Sequence, residues 1–174
     1  MPAIEIGAVI WLTGLPAAGK SVLAQGLATA LRDKSQRVEI LDGDEVRQNI
    51  WPELGFSAED RDANVRRIAH IARLLARHHV TVVVAAVSPY RRARDAARRL
   101  NPRFVEVYVS TPLEECIRRD PKGLYARALS GAVQKFTGVT DAYECPLQPE
   151  VEIDMSRFTV SAAVEKILAH LESC

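Results

Sequence analysis

The sequence predicts one α/β domain over residues 1–174: a five-stranded parallel sheet flanked by helices on both faces, with a lid segment. Three observations lead there. Short β-branched runs alternate with longer stretches of helical periodicity, the pattern of strands joined by crossover helices. The run 80–87, VTVVVAAV, is apolar at nearly every position, as a strand covered on both faces must be. A chain of 174 residues, 48% apolar and 26% charged, is long enough for one core and needs no second.

Taken in order, Ala8 to Thr13 is the first strand, and Leu23, Leu27, Ala30 and Leu31 mark an amphipathic helix after it. Arg37 to Leu41 is the second strand. Ser57, followed by Asp60, reads as the start of a longer helix whose apolar stripe is Val65, Ile68, Ala69, Ala72, Leu75 and Ala76. Val80 to Val87 is the third strand, and its unbroken apolar character places it in the middle of the sheet. Phe104 to Val109 is the fourth. Thr111-Pro112-Leu113-Glu114 offers a cap, a first-turn proline and a capping-box acid for the next helix. Val151 to Asp154 is the fifth strand, and Val164, Ile167, Leu168 and Leu171 share one face of the last helix.

Lys and Arg total 23 against 22 for Asp and Glu, so no overall field draws the chain to nucleic acid or to a membrane. The cluster Arg91, Arg92, Arg94, Arg98 and Arg99 is interleaved with Asp95 and has no stacking aromatic beyond Tyr90, so it reads as a solvated helix face. Cys116, Cys145 and Cys174 are far apart and lack metal-ligand spacing, which makes them reduced thiols. No leader pattern and no apolar run near the ~20 residues of a membrane span is present, and a cytoplasmic location is expected.

The chemistry concentrates where strands end. Gly14-Leu15-Pro16-Ala17-Ala18-Gly19-Lys20-Ser21 fits G-x-x-x-x-G-K-[ST] between the first strand and the first helix, the context of a P-loop. Glycines there let backbone N–H groups and the helix N-terminus face phosphate, Lys20 adds a cation, and Ser21 offers a hydroxyl to Mg²⁺. ATP and Mg²⁺ are the expected cofactors, and Val22 completes the loop. Asp42-Gly43-Asp44 follows the second strand. Asp42 is assigned to metal and water contacts, and Asp44 to the proton of an attacking hydroxyl. Taken alone, D-G-D is also an ordinary solvated turn. Arg47, Phe56, Arg61, Asn64 and Arg67 could read an anion and stack on a purine, although surface arginines and a core phenylalanine are the plainer reading. Pro89 ends the third strand and turns Ser88 toward the same edge. The segments 120–125 and 136–138 have the punctuation of a lid that excludes water.

GLPAAGKS, LDGDEVR, LGFSAEDRDANVRRI, VSPYRRARD, RDPKGLY, KFTGV and YECPLQPEVEID, in this order, resemble the adenylylsulfate kinase family across almost the whole chain. The resemblance implies phosphorylation of the ribose 3′-hydroxyl of adenylyl sulfate by MgATP. It puts the ATP loop on Gly14 to Ser21 and acceptor contacts on Asp44, Arg47, Phe56, Arg61, Asn64, Val87, Ser88, Lys122, Phe136 and Thr137. It also implies a homodimer. Ser88 matches a serine that is phosphorylated in some members, and is read here as a binding residue. The chain departs from the family pattern at Ala18, Val22 and the stretch Ala126 to Leu129, which bears on nucleotide hold more than on identity. Two other readings stand beside this one: a P-loop kinase for another small anionic acceptor, and a nucleotide sensor without turnover.

Overall fold

The computed structural model describes residues 7–173; Cys174 and the first six residues lie outside it. The elements run β1 (Val9–Thr13), α1 (Lys20–Asp33), β2 (Val38–Asp42), α2 (Gly43–Ile50), α3 (Ala58–Arg77), β3 (Thr81–Ala85), α4 (Arg91–Leu100), β4 (Phe104–Val109), α5 (Leu113–Arg119), α6 (Leu124–Leu129), β5 (Val151–Ile153) and α7 (Val160–Ser173). All strand pairs are parallel, in the order β2-β3-β1-β4-β5. The central strand is therefore β1, not β3 as its composition suggests. Both are covered on both faces, because any inner strand of a parallel sheet is, and apolar continuity cannot rank inner strands among themselves.

Alternation along β1 divides the core in two. Ile10 and Leu12 face Leu23, Leu27, Leu31 and Ile167 of α1 and α7, while Val9 and Trp11 face Val65, Ile68, Ala72 and Ala97 of α3 and α4. Each helix thus buries the stripe that its 3.6-residue period defines. The Ser57 hydroxyl accepts from the Asp60 amide at 3.1 Å and starts α3 where expected. No described helix is long and apolar enough to cross a membrane.

Two expectations fail at polar residues. Thr111 does not cap α5; its hydroxyl donates to the Ala18 carbonyl at 2.8 Å and accepts from the Met155 amide at 3.2 Å. A buried hydroxyl with partners from two distant loops serves them in preference to a solvated helix end. Likewise α4 is solvated only in part, with Arg92 and Arg99 exposed and other arginines turned to the interior. Arg94 is 2% exposed and pairs with Glu106 of β4 at 2.8 Å, and Arg98 pairs with Glu150 at 2.5 Å. Glu106 points to the same sheet face as Trp11 and Phe104, and a carboxylate there requires a cationic partner.

Because Thr111 joins the loop after β1 to the loop after β5, Thr111→Val leaves a carbonyl and an amide unpaired in the interior. Urea unfolding is expected to show a loss of about 1–3 kcal/mol. A loss below a few tenths, on the order of a surface substitution, would show that the bridge does not hold the two loops.

Candidate active site

The loop between β1 and α1 is shaped by backbone that few residues tolerate. Gly19 stands at φ 104°, the N-cap of α1, and a Cβ there would lie 3.3 Å from the Met155 side chain. Ala17 adopts φ 60° without being glycine, a conformation that costs energy and turns the loop back on itself. Pro16, Ala17, Gly19, Lys20, Ser21 and Val22 line a cavity of about 530 Å³. Gly14, Leu15 and Ala18 do not line it. The Gly14 and Leu15 carbonyls instead accept from Lys20 Nζ at 3.0 and 2.6 Å, and Ala18 is buried beneath the loop. Burial, partly opposed by the charges of Asp44 and Asp42, brings the Lys20 ammonium down to about 8.

Beside the loop, Ser21 donates its hydroxyl to Asp42 Oδ2 at 2.6 Å, while Asp42 Oδ1 caps α2 by accepting from the Asp44 amide at 3.0 Å. A hydroxyl and a carboxylate converging at a phosphate loop are the hard oxygen donors that Mg²⁺ prefers, so the residues fit this ion. Among the described residues no group of three or more acidic, histidine or cysteine side chains is arranged to hold a metal. Asp44, on the first turn of α2, reaches Lys122 from across the cavity at 3.2 Å, with both side chains largely exposed.

The opposite wall gathers Arg47, Phe56, Arg61, Asn64, Val87, Ser88, Phe136 and Thr137. Phe56 is 60% exposed, with the Arg47 and Arg61 guanidiniums 4.8 and 5.8 Å from its ring centroid. Arg47 donates to the Gly55 carbonyl, yet its buried Nε has no partner among the described residues. Burial, and then the charge of the neighbouring Arg61, lower its pKa. Arg61 is more committed. It donates to the Phe56 carbonyl at 3.0 Å, the Thr137 hydroxyl at 2.7 Å and the Lys135 carbonyl at 2.5 Å, and so pins the segment carrying Phe136 to α3. Asn64 Oδ1 accepts from the Trp51 indole at 2.6 Å, which leaves its NH₂ to donate. The Ser88 hydroxyl is directed inward, accepting from the Trp11 indole at 2.9 Å and donating to the Ala86 carbonyl at 3.2 Å. Arg67 is not part of the site: it pairs with Glu53 and lies over Trp51, outside the cavity.

Among the lining residues to which the sequence assigned no contact are Arg119 and Tyr125, although both lie in the stretch RDPKGLY. Arg119 donates to the Met155 carbonyl at 2.8 Å beside Gly19, and the Tyr125 hydroxyl donates to the Pro16 carbonyl at 3.0 Å. Asp120 caps α6 through the Tyr125 and Ala126 amides, each at 3.0 Å. The Asp120-Pro121 break was the available signal for Arg119, since it ends α5 at the cavity mouth. The predicted lid is thus seated on the P-loop through Tyr125, while its Lys122 reaches Asp44.

The family profile described as Adenylylsulphate kinase matches residues 6–154. An adenylyl-sulfate kinase of Chloroflexus aurantiacus is 48% identical over 172 residues, covering 99% of this chain and 92% of that protein. Another from Gloeothece citriformis is 50% identical over 166 residues, covering 95% and 94%. Among solved structures, the Mycobacterium tuberculosis APS kinase in complex with AMPPNP and APS superposes with a TM-score of 0.94 at 37% identity, covering 97% of this chain and 99% of that one.

The Lys20 ammonium carries a prediction about pH. Phosphate binding favours the charged form, which the free protein holds below about 8 and loses as pH rises through that value. Affinity for ATP is expected to fall between pH 7 and 9, with proton uptake on binding at pH 8.5 that Lys20→Met abolishes. Calorimetry in buffers of different ionisation enthalpy measures it; no proton uptake in the unaltered protein would refute the assignment.

Proposed function

The chain belongs to the adenylylsulfate kinase family, and from that premise we propose that its cavity carries the γ-phosphoryl group of ATP from the P-loop to the ribose 3′-hydroxyl of adenylyl sulfate. The products are 3′-phosphoadenylyl sulfate and ADP. One observation carries the reading of the site: a single cavity joins the Lys20 loop to the Phe56 and Arg47 wall, with Asp44 reaching into it between the two.

The loop amides and Lys20 bind the triphosphate, the lysine exchanging the Gly14 and Leu15 carbonyls for phosphate oxygens. Ser21 and Asp42 would hold Mg²⁺, which when bound would offset the negative charge that builds during transfer. On the acceptor side Phe56 stacks on the purine, the Asn64 NH₂ reads polar groups, and Arg47 and Arg61 take the charged phosphosulfate. Asp44 accepts a hydrogen bond from the 3′-hydroxyl and takes its proton as the new O–P bond forms and the bond to the β-phosphate bridging oxygen breaks. Lys122 meets the same carboxylate from the lid and holds charge near the transferring group. Ser88 shapes the wall through its backbone, its hydroxyl being occupied by Trp11, and transfer proceeds directly without a phosphoserine. Two copies of the chain are expected to associate as a dimer, which light scattering checks.

Incubation with MgATP and adenylyl sulfate is expected to yield 3′-phosphoadenylyl sulfate and ADP in equal amounts by mass spectrometry. ADP without a phosphorylated acceptor would point to another acceptor, and binding without ADP to a sensor. Lys20→Ala should lower kcat by about 10²-fold or more with the fold retained, since one preorganised donor to developing charge contributes on that order. Arg61→Ala should raise KM for adenylyl sulfate far more than KM for ATP, because the wall it pins belongs to the acceptor. Equal shifts in both would remove Arg61 from the acceptor side.

A further inference from the structure

Beside Arg47, Phe56 and the start of α3, the acceptor wall takes in two chain segments that lie far apart in sequence. One follows β3 and carries Val87 and Ser88; the other runs from Phe136 and Thr137 to Glu144. They meet behind the cavity, where the Glu144 amide donates to the Pro89 carbonyl at 2.8 Å and the Arg91 amide to Glu144 Oε2 at 2.7 Å. Beneath that junction lies Arg94, absent from the cavity lining and 2% exposed. Its guanidinium donates to the Ser88 carbonyl from NH1 at 2.5 Å, to the Glu144 carbonyl from NH2 at 2.6 Å and to Glu106 Oε1 from Nε at 2.8 Å.

Ser88 itself is held under constraint. It adopts φ 45°, in the left-handed region that a non-glycine residue enters only when its surroundings impose it. The Trp11 indole fixes its hydroxyl and Arg94 fixes its carbonyl, so both ends of the residue are set from below the cavity. We propose that Arg94 is a positioning residue for the acceptor: one buried guanidinium ties the Ser88 carbonyl to the Glu144 carbonyl and sets how these two segments of the acceptor wall stand to each other. Glu106 supplies the charge that keeps the guanidinium in the interior, and its planar fork supplies the angle between the two carbonyls. A lysine in its place has one point charge and cannot hold that angle. The phosphate loop has further ties of its own through Lys20, Thr111 and Tyr125, and meets this junction through Thr13, which donates to the Val87 carbonyl at 2.7 Å.

This inference rests on the assignment of the wall to adenylyl sulfate, and the test separates the two. Steady-state kinetics would compare the unaltered protein with Arg94→Lys and with the double variant Arg94→Met/Glu106→Leu. The double variant removes the buried carboxylate together with its partner, so the core is left without an unpaired charge. Measured well below each variant's Tm and normalised to folded protein, KM for adenylyl sulfate is expected to rise about tenfold or more in both, with KM for ATP within about twofold. Both KM values unchanged, both rising together, or kcat alone falling would overturn the role and leave Arg94 as a core residue only. If the unaltered protein turned over a different acceptor instead, the assignment of the wall would fail, and this inference with it. Turnover of adenylyl sulfate with unmoved variants would sink the inference alone.

Discussion

The geometry of the site depends on β1 being hydrogen-bonded on both sides. Paired to β3 through Ile10 and Val83 and to β4 through Ile10 and Val105, it fixes three strand ends at one edge of the sheet. The P-loop leaves the first, the Ser88 turn leaves the second and the Thr111 turn the third. In an open parallel sheet ligands gather at the carboxyl ends where connections diverge, and here β3 and β4 diverge to either side of β1. The phosphate loop, Asp44, Phe56, Ser88, Phe136 and Thr137 lie on loops or a helix start, while Arg47 comes from the last turn of α2 and Asn64 from the second turn of α3.

What turns an edge into a cavity is a set of polar side chains spent on backbone groups of other loops. Thr111 holds Ala18 and Met155, Tyr125 holds Pro16, Arg61 holds Phe56 and Lys135, and Arg94 holds Ser88 and Glu144. Loops without regular hydrogen bonding need such partners when they are buried. Each tie also carries shape: two segments distant in sequence keep a fixed separation only while the bridging group is present.

Charge is distributed in the same spirit. Lys20 is buried at the centre of the phosphate loop with Asp42 and Asp44 near enough to oppose the cost of its burial. Arg47 and Arg61 lie together against Phe56, a like-charged pair whose mutual repulsion an anion relieves. Lys122 reaches Asp44 from the lid. Cations therefore stand on both sides of the cavity, with the Asp42 and Asp44 carboxylates between them.

The sequence by itself determined the α/β class, all five strands, the Ser57 cap and the P-loop, because each rests on local information: β-branched runs, a 3.6-residue period, a glycine pattern between a strand and a helix. It also indicated which motifs would share an edge, since strand ends in a parallel sheet fall on one side. Tertiary structure alone decided the rest. Strand order was beyond composition because β1 and β3 are equally apolar, and crossover geometry separates them. The tasks of Thr111, Arg94 and Arg98 were likewise out of reach: in sequence a threonine before a proline is a cap and a run of arginines is a wet surface. Only the fold brings Ala18, Met155, Glu106 and Glu150 to meet them, and a buried polar group takes its role from the partner that satisfies it.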